Sequence, residues 1–389
     1  MTAFPRLPRA TALALLVPVI AGAQAGSDSL QANQIRAAAL KAVTVTATRT
    51  ATDVRDVAMP VVVIDSLKMR SQLSNGVADL LRGEPGVDVV GTGVNQARPS
   101  IRGQRGQRIL LLQDGLRLNN SRRQQDFGEI PALVDAEQIS RIEVVRGPAS
   151  VLYGTDAIGG VVNLITRAPR QGNVPLTGRA TYSYGTAGTL GRTALSVAGA
   201  SGRVAYELFG AARVVGDYKA PAGSYGHVTL KDDTPLQNSG VRDRNMGGSL
   251  SWQATDRATV FAKAEFYGAD KAGFGYIPPA LIGSDPTQIQ ITYPKQDFTK
   301  YTAGIRLNGL QTALANRFDL TAYSQRNTRD LAQHIFAFFG PGTPPGAGVD
   351  ISTTNRTNIG STGFRAEASK VLDRAVVTYG ADQIGRAHV

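Results

Sequence analysis

Two patterns of apolar and polar positions divide the chain. From about Val43 to Pro169 the elements change every few residues. Pro60 to Ile64 reads as a strand, Asp65 and Ser66 offer a helix N-cap, and Asn75 to Arg82 fits a short helix closed by Gly83 with Pro85 beyond it. Val87 to Val90, Arg108 to Gln113, Arg141 to Arg146 and Gly160 to Thr166 read as strands, punctuated by Asp114-Gly115 and Gly147-Pro148. The runs Ile109-Leu110-Leu111-Leu112 and Val161-Val162-Asn163-Leu164-Ile165 are apolar on both faces, as central buried strands are. This half predicts a small α+β domain.

After Gln171 a period of two takes over. Met246, Gly248, Leu250 and Trp252 alternate with Gly247, Ser249, Ser251 and Gln253. The same split places Val204, Tyr206 and Leu208 against Arg203, Ala205 and Glu207, and Val260, Ala262, Ala264 and Phe266 against Thr259, Lys263 and Glu265. Tyr301, Ala303, Ile305 and Leu307 stand in the same way against Thr302, Arg306 and Asn308. Charged residues on the second face predict a wet interior. Strands are expected near 177–184, 191–199, 203–213, 244–253, 258–267, 300–307, 317–326, 357–370 and 375–382.

The connections alternate after the first hairpin: 200–202, 254–257, 308–316 and 371–374 are short, whereas 214–243, 268–299 and 327–356 are about 30 residues each, beyond the usual range for loops of compact domains. Short turns at one end and long loops at the other predict an antiparallel transmembrane β-barrel. A soluble β-sandwich shares the alternation, but it buries its apolar face and has no reason to lengthen every second loop. Nine strands leave two open edges in lipid, so the expectation is an incomplete barrel, truncated within the wall.

Composition supports this division and excludes several classes. No Cys is present, so there is no disulfide, thiolate or Cys-held metal site, and 3 His leave little for metal catalysis. The net charge of +12 would suit a nucleic-acid binder. The excess is dispersed, however, with no run of five or six like charges to track a phosphate backbone, and nucleic acid is not an expected partner. Arg6 and Arg9, the apolar run Ala10 to Ile20 and Ala23-Gln24-Ala25 form a signal peptide over 1–25. Nothing beyond it approaches the roughly 18 apolar residues of a membrane-spanning helix. There is no G-x-S-x-G, H-E-x-x-H or G-x-x-x-x-G-K-[ST], so an enzyme has no support in motifs, and neither a cofactor nor a metal site is expected.

Four segments of the first half carry a resemblance. They are Arg98-Pro99-Ser100-Ile101-Arg102-Gly103; Arg108 to Arg117, with Leu110-Leu111-Leu112-Gln113-Asp114-Gly115 at its centre; Ile142-Glu143-Val144-Val145-Arg146-Gly147-Pro148-Ala149-Ser150-Val151-Leu152-Tyr153-Gly154; and Ala157 to Thr166. In order and spacing they resemble the plug domain of TonB-dependent outer-membrane receptors. Ala42-Val43-Thr44-Val45-Thr46-Ala47-Thr48 resembles a TonB box. Such an extended segment can add as an edge strand to a periplasmic partner, whereas the bland reading of a Val/Thr alternation is a first plug strand. The resulting division is a signal peptide (1–25), a periplasmic linker (26–52) with the box at 42–48, a plug (53–170) and the N-terminal part of a barrel (171–382). The tail 383–389 breaks the alternation, resembles a translated sequencing adapter and is expected to be non-native.

The resemblance implies energised import across the outer membrane, with the TonB C-terminal domain as partner and the plug and N-terminus facing the periplasm among lipid and lipopolysaccharide. An iron complex, a siderophore or haem, is the expected ligand; cobalamin or another nutrient chelate is the alternative. A passive porin or adhesin would share the barrel but has no use for the box. The resemblance further implies that plug arginines, Arg102 and Arg146, dock against wall carboxylates, for which the inward-facing Glu207 and Glu265 are candidates. Apex positions Asn95, Gln96, Arg122 and Arg123 and the loop aromatics Phe274 and Tyr276 are the candidate ligand contacts. His227 and His334 fall in expected outer loops, where a lone His is more often an ordinary surface residue than a haem ligand.

Overall fold

The computed structural model describes residues 43–44, 46–49, 52–72, 74, 76–91, 95–118, 130–186, 188–225, 228–277, 288–338, 348–373 and 375–388. The signal-peptide region, the linker up to Ala42, Arg122, Arg123 and His227 lie outside them.

The first half folds around a five-stranded sheet. Its elements are β1 (Val61–Asp65), α1 (Ser66–Ser71), the hairpin strands β2 (Val87–Val90) and β3 (Arg98–Ile101), β4 (Ile109–Gln113), β5 (Leu116–Arg117), β6 (Ile139–Arg146), α2 (Ser150–Tyr153) and β7 (Gly160–Thr166). The sheet runs β1-β6-β7-β4-β5, with only the β7–β4 pair parallel. The apolar runs take the centre: every residue of β4 is buried, as is all of β7 but Ile165. Asp65 caps α1 by accepting from the amides of Leu67 and Lys68 at 2.9 and 2.8 Å. The expected helix at Asn75 to Arg82 is a 3-10 helix over Val77–Leu81, buried on Val77, Leu80 and Leu81. Asp114 and Gly115 both have positive φ, 53° and 76°, and close β4 onto β5 in a tight reverse turn. Asp-Gly at that position announces the turn, but the two-residue strand after it is too short to show in the pattern.

The second half is one antiparallel sheet in chain order: β8 (Val174–Gly185), β9 (Leu190–Ser201), β10 (Val204–Val215), β11 (Val241–Gln253), β12 (Ala258–Gly273), β13 (Gln288–Leu307), β14 (Arg317–Phe338), β15 (Gly348–Val371) and β16 (Val376–His388). The nine expected strands are all present. β12 to β15 are much longer than expected, and residues assigned to long loops belong to the ladders. The reason is solvent. At the tilt of membrane barrels, the 22 residues of β14 rise about 50 Å along the membrane normal, well beyond a hydrocarbon core of about 30 Å. Where both faces are wet, nothing imposes an apolar period, and pairing continues without it. Residues 383–388 also pair with β15, continuing the ladder of β16.

Face assignment decides between barrel and sandwich. Leu208, Met246, Leu250, Trp252 and Tyr301 are exposed, Leu250 by 51% and Trp252 by 50%. Glu207, Asn245, Glu265, Gln296, Lys300 and Asn327 are buried on the opposite face. The apolar face therefore looks outward and the polar face inward, the reverse of a sandwich and the requirement of lipid. Leu250→Arg is expected to destabilise the sheet in lipid vesicles by about 2–4 kcal/mol, read from the urea unfolding midpoint, whereas Leu250→Ile should leave it within about 1 kcal/mol.

Candidate functional site

The segment that resembles a coupling box is held by the plug. Val43–Thr44 pair antiparallel with Thr52–Asp53, and the chain then enters the plug interior. Thr46 is 0% exposed and Ala47 2%. Three side chains from three elements meet every polar group of Thr46. Its amide and its hydroxyl both donate to Glu143 Oε2 of β6, at 2.7 and 2.6 Å. Asn163 Nδ2 of β7 donates to its hydroxyl oxygen at 2.9 Å, and the Tyr153 hydroxyl of α2 donates to its carbonyl at 2.8 Å. Ala47 packs in the apolar cluster of Leu110, Leu112, Val145 and Val161.

Glu143 and Asn163 face each other across β6 and β7, each the polar exception in an apolar run. Glu143 is fully buried, and its second oxygen accepts from Arg141 Nε at 2.7 Å. A buried carboxylate needs such a full set of donors, because losing one leaves a large desolvation penalty. Burial foremost pushes the Tyr153 hydroxyl up to about 12, so it remains a donor at every physiological pH. Arg49 stacks 4.5 Å above the Tyr153 ring, bonds the Leu152 carbonyl and lies 3.7 Å from Glu367 on β15. Of the box, Ala42 and Val45 lie outside the described residues, and Thr48 bonds Thr52 through their hydroxyls at 2.9 Å.

A second polar cluster joins plug to wall at the β4–β5 turn. Asp114 accepts from the amide and hydroxyl of Thr166 at 2.8 and 2.7 Å and from Lys263 Nζ of β12 at 3.2 Å. Lys263 also pairs with Glu265 at 2.8 Å. Gln113 Nε2 donates to Glu265 at 2.6 Å, and its amide oxygen accepts from the buried Lys300 Nζ at 3.0 Å. Arg365 of β15 donates to the Gly115 carbonyl at 2.9 Å, Gln325 of β14 to that of Arg117 at 2.9 Å, and Arg192 of β9 pairs with Asp135. Burial alone would raise the Asp114 carboxyl, but Lys263, Lys300 and the Thr166 hydrogen bonds outweigh it and hold it below the ordinary carboxylate range.

The expected docking arginines sit elsewhere. Arg102 is exposed in a left-handed turn, with φ of 49°, and Arg146 donates to the Pro85 carbonyl at 2.6 Å. Neither forms an ion pair with a wall carboxylate among the described residues. Glu265 is taken by Gln113 and Lys263, and Glu207 is buried without a hydrogen bond to the plug among those residues. Sequence reasoning passed over Asp114, Lys263, Glu143 and Asn163. The signal for the last two was a lone polar residue inside an apolar strand.

At the apex, Asn95 and Gln96 are each 1% exposed and lie against the wall. The Tyr267 hydroxyl donates to Asn95 Oδ1 at 3.2 Å, and Asn95 Nδ2 stands 3.5 Å from Gln296. The Gln96 amide is buried without a partner among the described residues. Phe274 packs at 5.8 Å on Tyr293, and the Tyr276 hydroxyl donates to Gln237 at 2.9 Å. His334 Nε2 lies 2.6 Å from Asp350. The described residues contain no group of three or more His, Cys, Asp or Glu that could hold a metal ion.

Comparison with known proteins places these features. The profile of the TonB-dependent Receptor Plug Domain matches residues 53–161. The vitamin B12 transporter BtuB of Vibrio vulnificus (strain CMCP6) is 27% identical over 300 residues, which are 75% of this chain and 44% of that protein. Among solved structures, the copper transporter OprC superposes with a TM-score of 0.66 at 15% identity, covering 84% of this chain and 46% of the other. The siderophore receptor PirA from Acinetobacter baumannii superposes at 0.60 with 21% identity, covering 83% and 47%. The chain thus spans less than half the length of these relatives.

Two outcomes follow from the clusters. Thr46→Val removes a hydroxyl bonded on both sides, at a cost of about 1–3 kcal/mol, so the segment should leave its site at least about fivefold more often. Because the chain has no Cys, a single spin label at Val43→Cys reads this directly as a larger mobile fraction. For Asp114 the folded pKa is depressed, so its contribution is complete above the unfolded carboxylate range near 4 and is lost as pH falls through the lower folded value. Plug attachment, followed by limited proteolysis, should be unchanged from pH 7 to about 5 and weaken only below about 4, and Asp114→Asn should remove that dependence.

Proposed function

Because the chain belongs to the TonB-dependent receptors, with their plug domain followed by nine strands of wall, we propose that it serves energised import of a scarce metal complex across the outer membrane. Residues 1–25 direct export, 26–52 form the periplasmic tether, and 42–48 are the segment that the TonB C-terminal domain captures. The observation that carries this reading is the docking of Thr46 on Glu143, Asn163 and Tyr153. A segment that must pair as an added strand is here held by the plug and has to leave it first.

The need for work follows from binding kinetics. At an association rate of about 10⁶ M⁻¹s⁻¹, a nanomolar ligand dissociates at about 10⁻³ s⁻¹, or once in roughly 15 minutes. Release inward on a useful timescale requires that the site be pulled apart. Traction on residues 43–48 would reach β6 through Glu143 and β7 through Asn163, two of the three inner strands of the plug sheet. The protein then binds and releases and performs no covalent chemistry.

For the ligand we favour an iron chelate, a siderophore or haem, met at the apex around Asn95 and Gln96 and by Arg122, Arg123, Phe274 and Tyr276. The relation to a vitamin B12 transporter over 300 residues supports cobalamin as the second reading. Arg102 and Arg146 remain candidates for docking the plug against wall carboxylates.

Deleting residues 42–48 at the native locus should abolish uptake while leaving ligand binding to whole cells intact. A passive pore would take up ligand undiminished. Growth on a panel of ferric siderophores, haem and cobalamin, with the deletion as control, identifies the ligand by the one supplement whose use the deletion removes.

A further inference from the structure

Between the plug and the first two wall strands lies a chamber of about 460 Å³, whose lining includes neither Thr46 nor the β4–β5 turn. Four arginines line it: Arg70 in α1, Arg167 just after β7, Arg179 on β8 and Arg192 on β9. Among the described residues Glu137 is its only acidic lining residue.

These charges are unevenly matched. Arg192 bonds Asp135, which caps the 3-10 turn Ala136–Gln138 of the plug. Glu137 is shared between Arg192 at 3.7 Å and Arg167 at 3.6 Å. Arg213 of β10 stands directly opposite Arg192, but it is engaged by both oxygens of Asp243, which therefore brings no spare negative charge to the chamber. Arg70 and Arg179 have neither an ion pair nor a side-chain hydrogen bond among the described residues. One faces the chamber from the plug and the other from the wall.

Unmatched guanidinium groups in a cleft with low-dielectric walls focus a positive potential and concentrate anions there. Their planar fork pairs with a carboxylate two bonds at a time. The plug itself displays the preference, since the side chains it places on Arg167 and Arg192 are both carboxylates. We propose that the chamber is a binding site for a polycarboxylate anion, held by Arg70 and Arg179, with Arg192 joining them once plug movement withdraws Asp135. Its volume falls within the range of small-molecule sites. Its use in passage rests on the import reading above, and it narrows the cargo to a chelate that carries free carboxylates rather than an uncharged one.

Ser183 lines the chamber opposite Arg192, so Ser183→Cys in the Cys-free chain places one thiol inside it. In the detergent-purified receptor this thiol is reacted with the anionic sulfonatoethyl, the cationic trimethylammonioethyl and the neutral methyl methanethiosulfonates, each rate being divided by that of free 2-mercaptoethanol. The anionic reagent should be favoured over the cationic one by at least about tenfold. Arg70→Gln with Arg179→Gln should lower that ratio by at least about fivefold and leave the neutral rate unchanged. Citrate should slow the neutral reagent, whereas acetate at equal ionic strength should not.

A ratio near that of the free thiol overturns the proposal without recourse to the arginine variants, as does a thiol that no reagent reaches. So does a ratio that the double variant leaves unchanged, or equal protection by acetate, which would mark a general counter-ion atmosphere. None of these rates involves TonB. Loss of the preference therefore removes the chamber alone, whereas undiminished uptake after deletion of residues 42–48 removes import and leaves the anion site standing.

Discussion

A sheet that turns its apolar side to lipid must satisfy its polar side from within, and the rest of this structure depends on that inversion. Glu265, Lys300, Gln296 and Asn327 are buried on the inner face, and Lys263 is half-buried among them. Charges so placed are tolerable only when paired and hydrogen-bonded. The plug supplies partners at the β4–β5 turn: Asp114 meets Lys263, and Gln113 bridges Glu265 and Lys300 with the two ends of one amide. A reverse turn suits this task because it carries adjacent polar groups on a tip narrow enough to reach the wall. Gly115 suits that turn because its φ is 76°, and an added Cβ would also push away the Arg365 guanidinium that bonds its carbonyl.

The same turn ties the wall to the segment around Thr46. Asp114 holds Thr166 at the end of β7, and three residues back along that strand Asn163 holds Thr46. Glu143 opposite Asn163 completes the grip. The contacts that retain the box and those that retain the plug therefore share one central strand. Each is a small set of hydrogen bonds between buried polar groups, individually modest in net worth and expensive to leave unmade. Such an attachment is firm at rest and can give way locally without unfolding the apolar core.

Much of this was legible in the sequence, and the exceptions share a cause. Of the plug strands β1 to β7, all but β3 and β5 were visible, as were the nine wall strands, because burial and lipid each impose a period on apolar residues. The outer halves of β12 to β15 were not, because water on both faces imposes none. Asn75 to Arg82 carried helical signals and folded as a 3-10 turn, its short apolar stretch being used for packing. Among the site residues, the segment 42–48 drew notice from its place ahead of the plug. Its clamp did not, although Glu143 and Asn163 stood out as polar residues within buried strands. Arg102 and Arg146 drew notice by charge and family position, whereas the wall contacts that form run through the less conspicuous Gln113 and Asp114.

On the function proposed above, import requires Thr46 to leave its site between β6 and β7. The most direct measurement pins it there. In the Cys-free chain, Thr46→Cys with Asn163→Cys places two thiols on side chains that now bond at 2.9 Å, and a short bis-methanethiosulfonate reagent joins them through disulfides. Ligand uptake by cells carrying this receptor should be lost while the disulfide stands and return on mild reduction, with ligand binding unchanged throughout. Undiminished uptake by fully cross-linked receptor would contradict the claim.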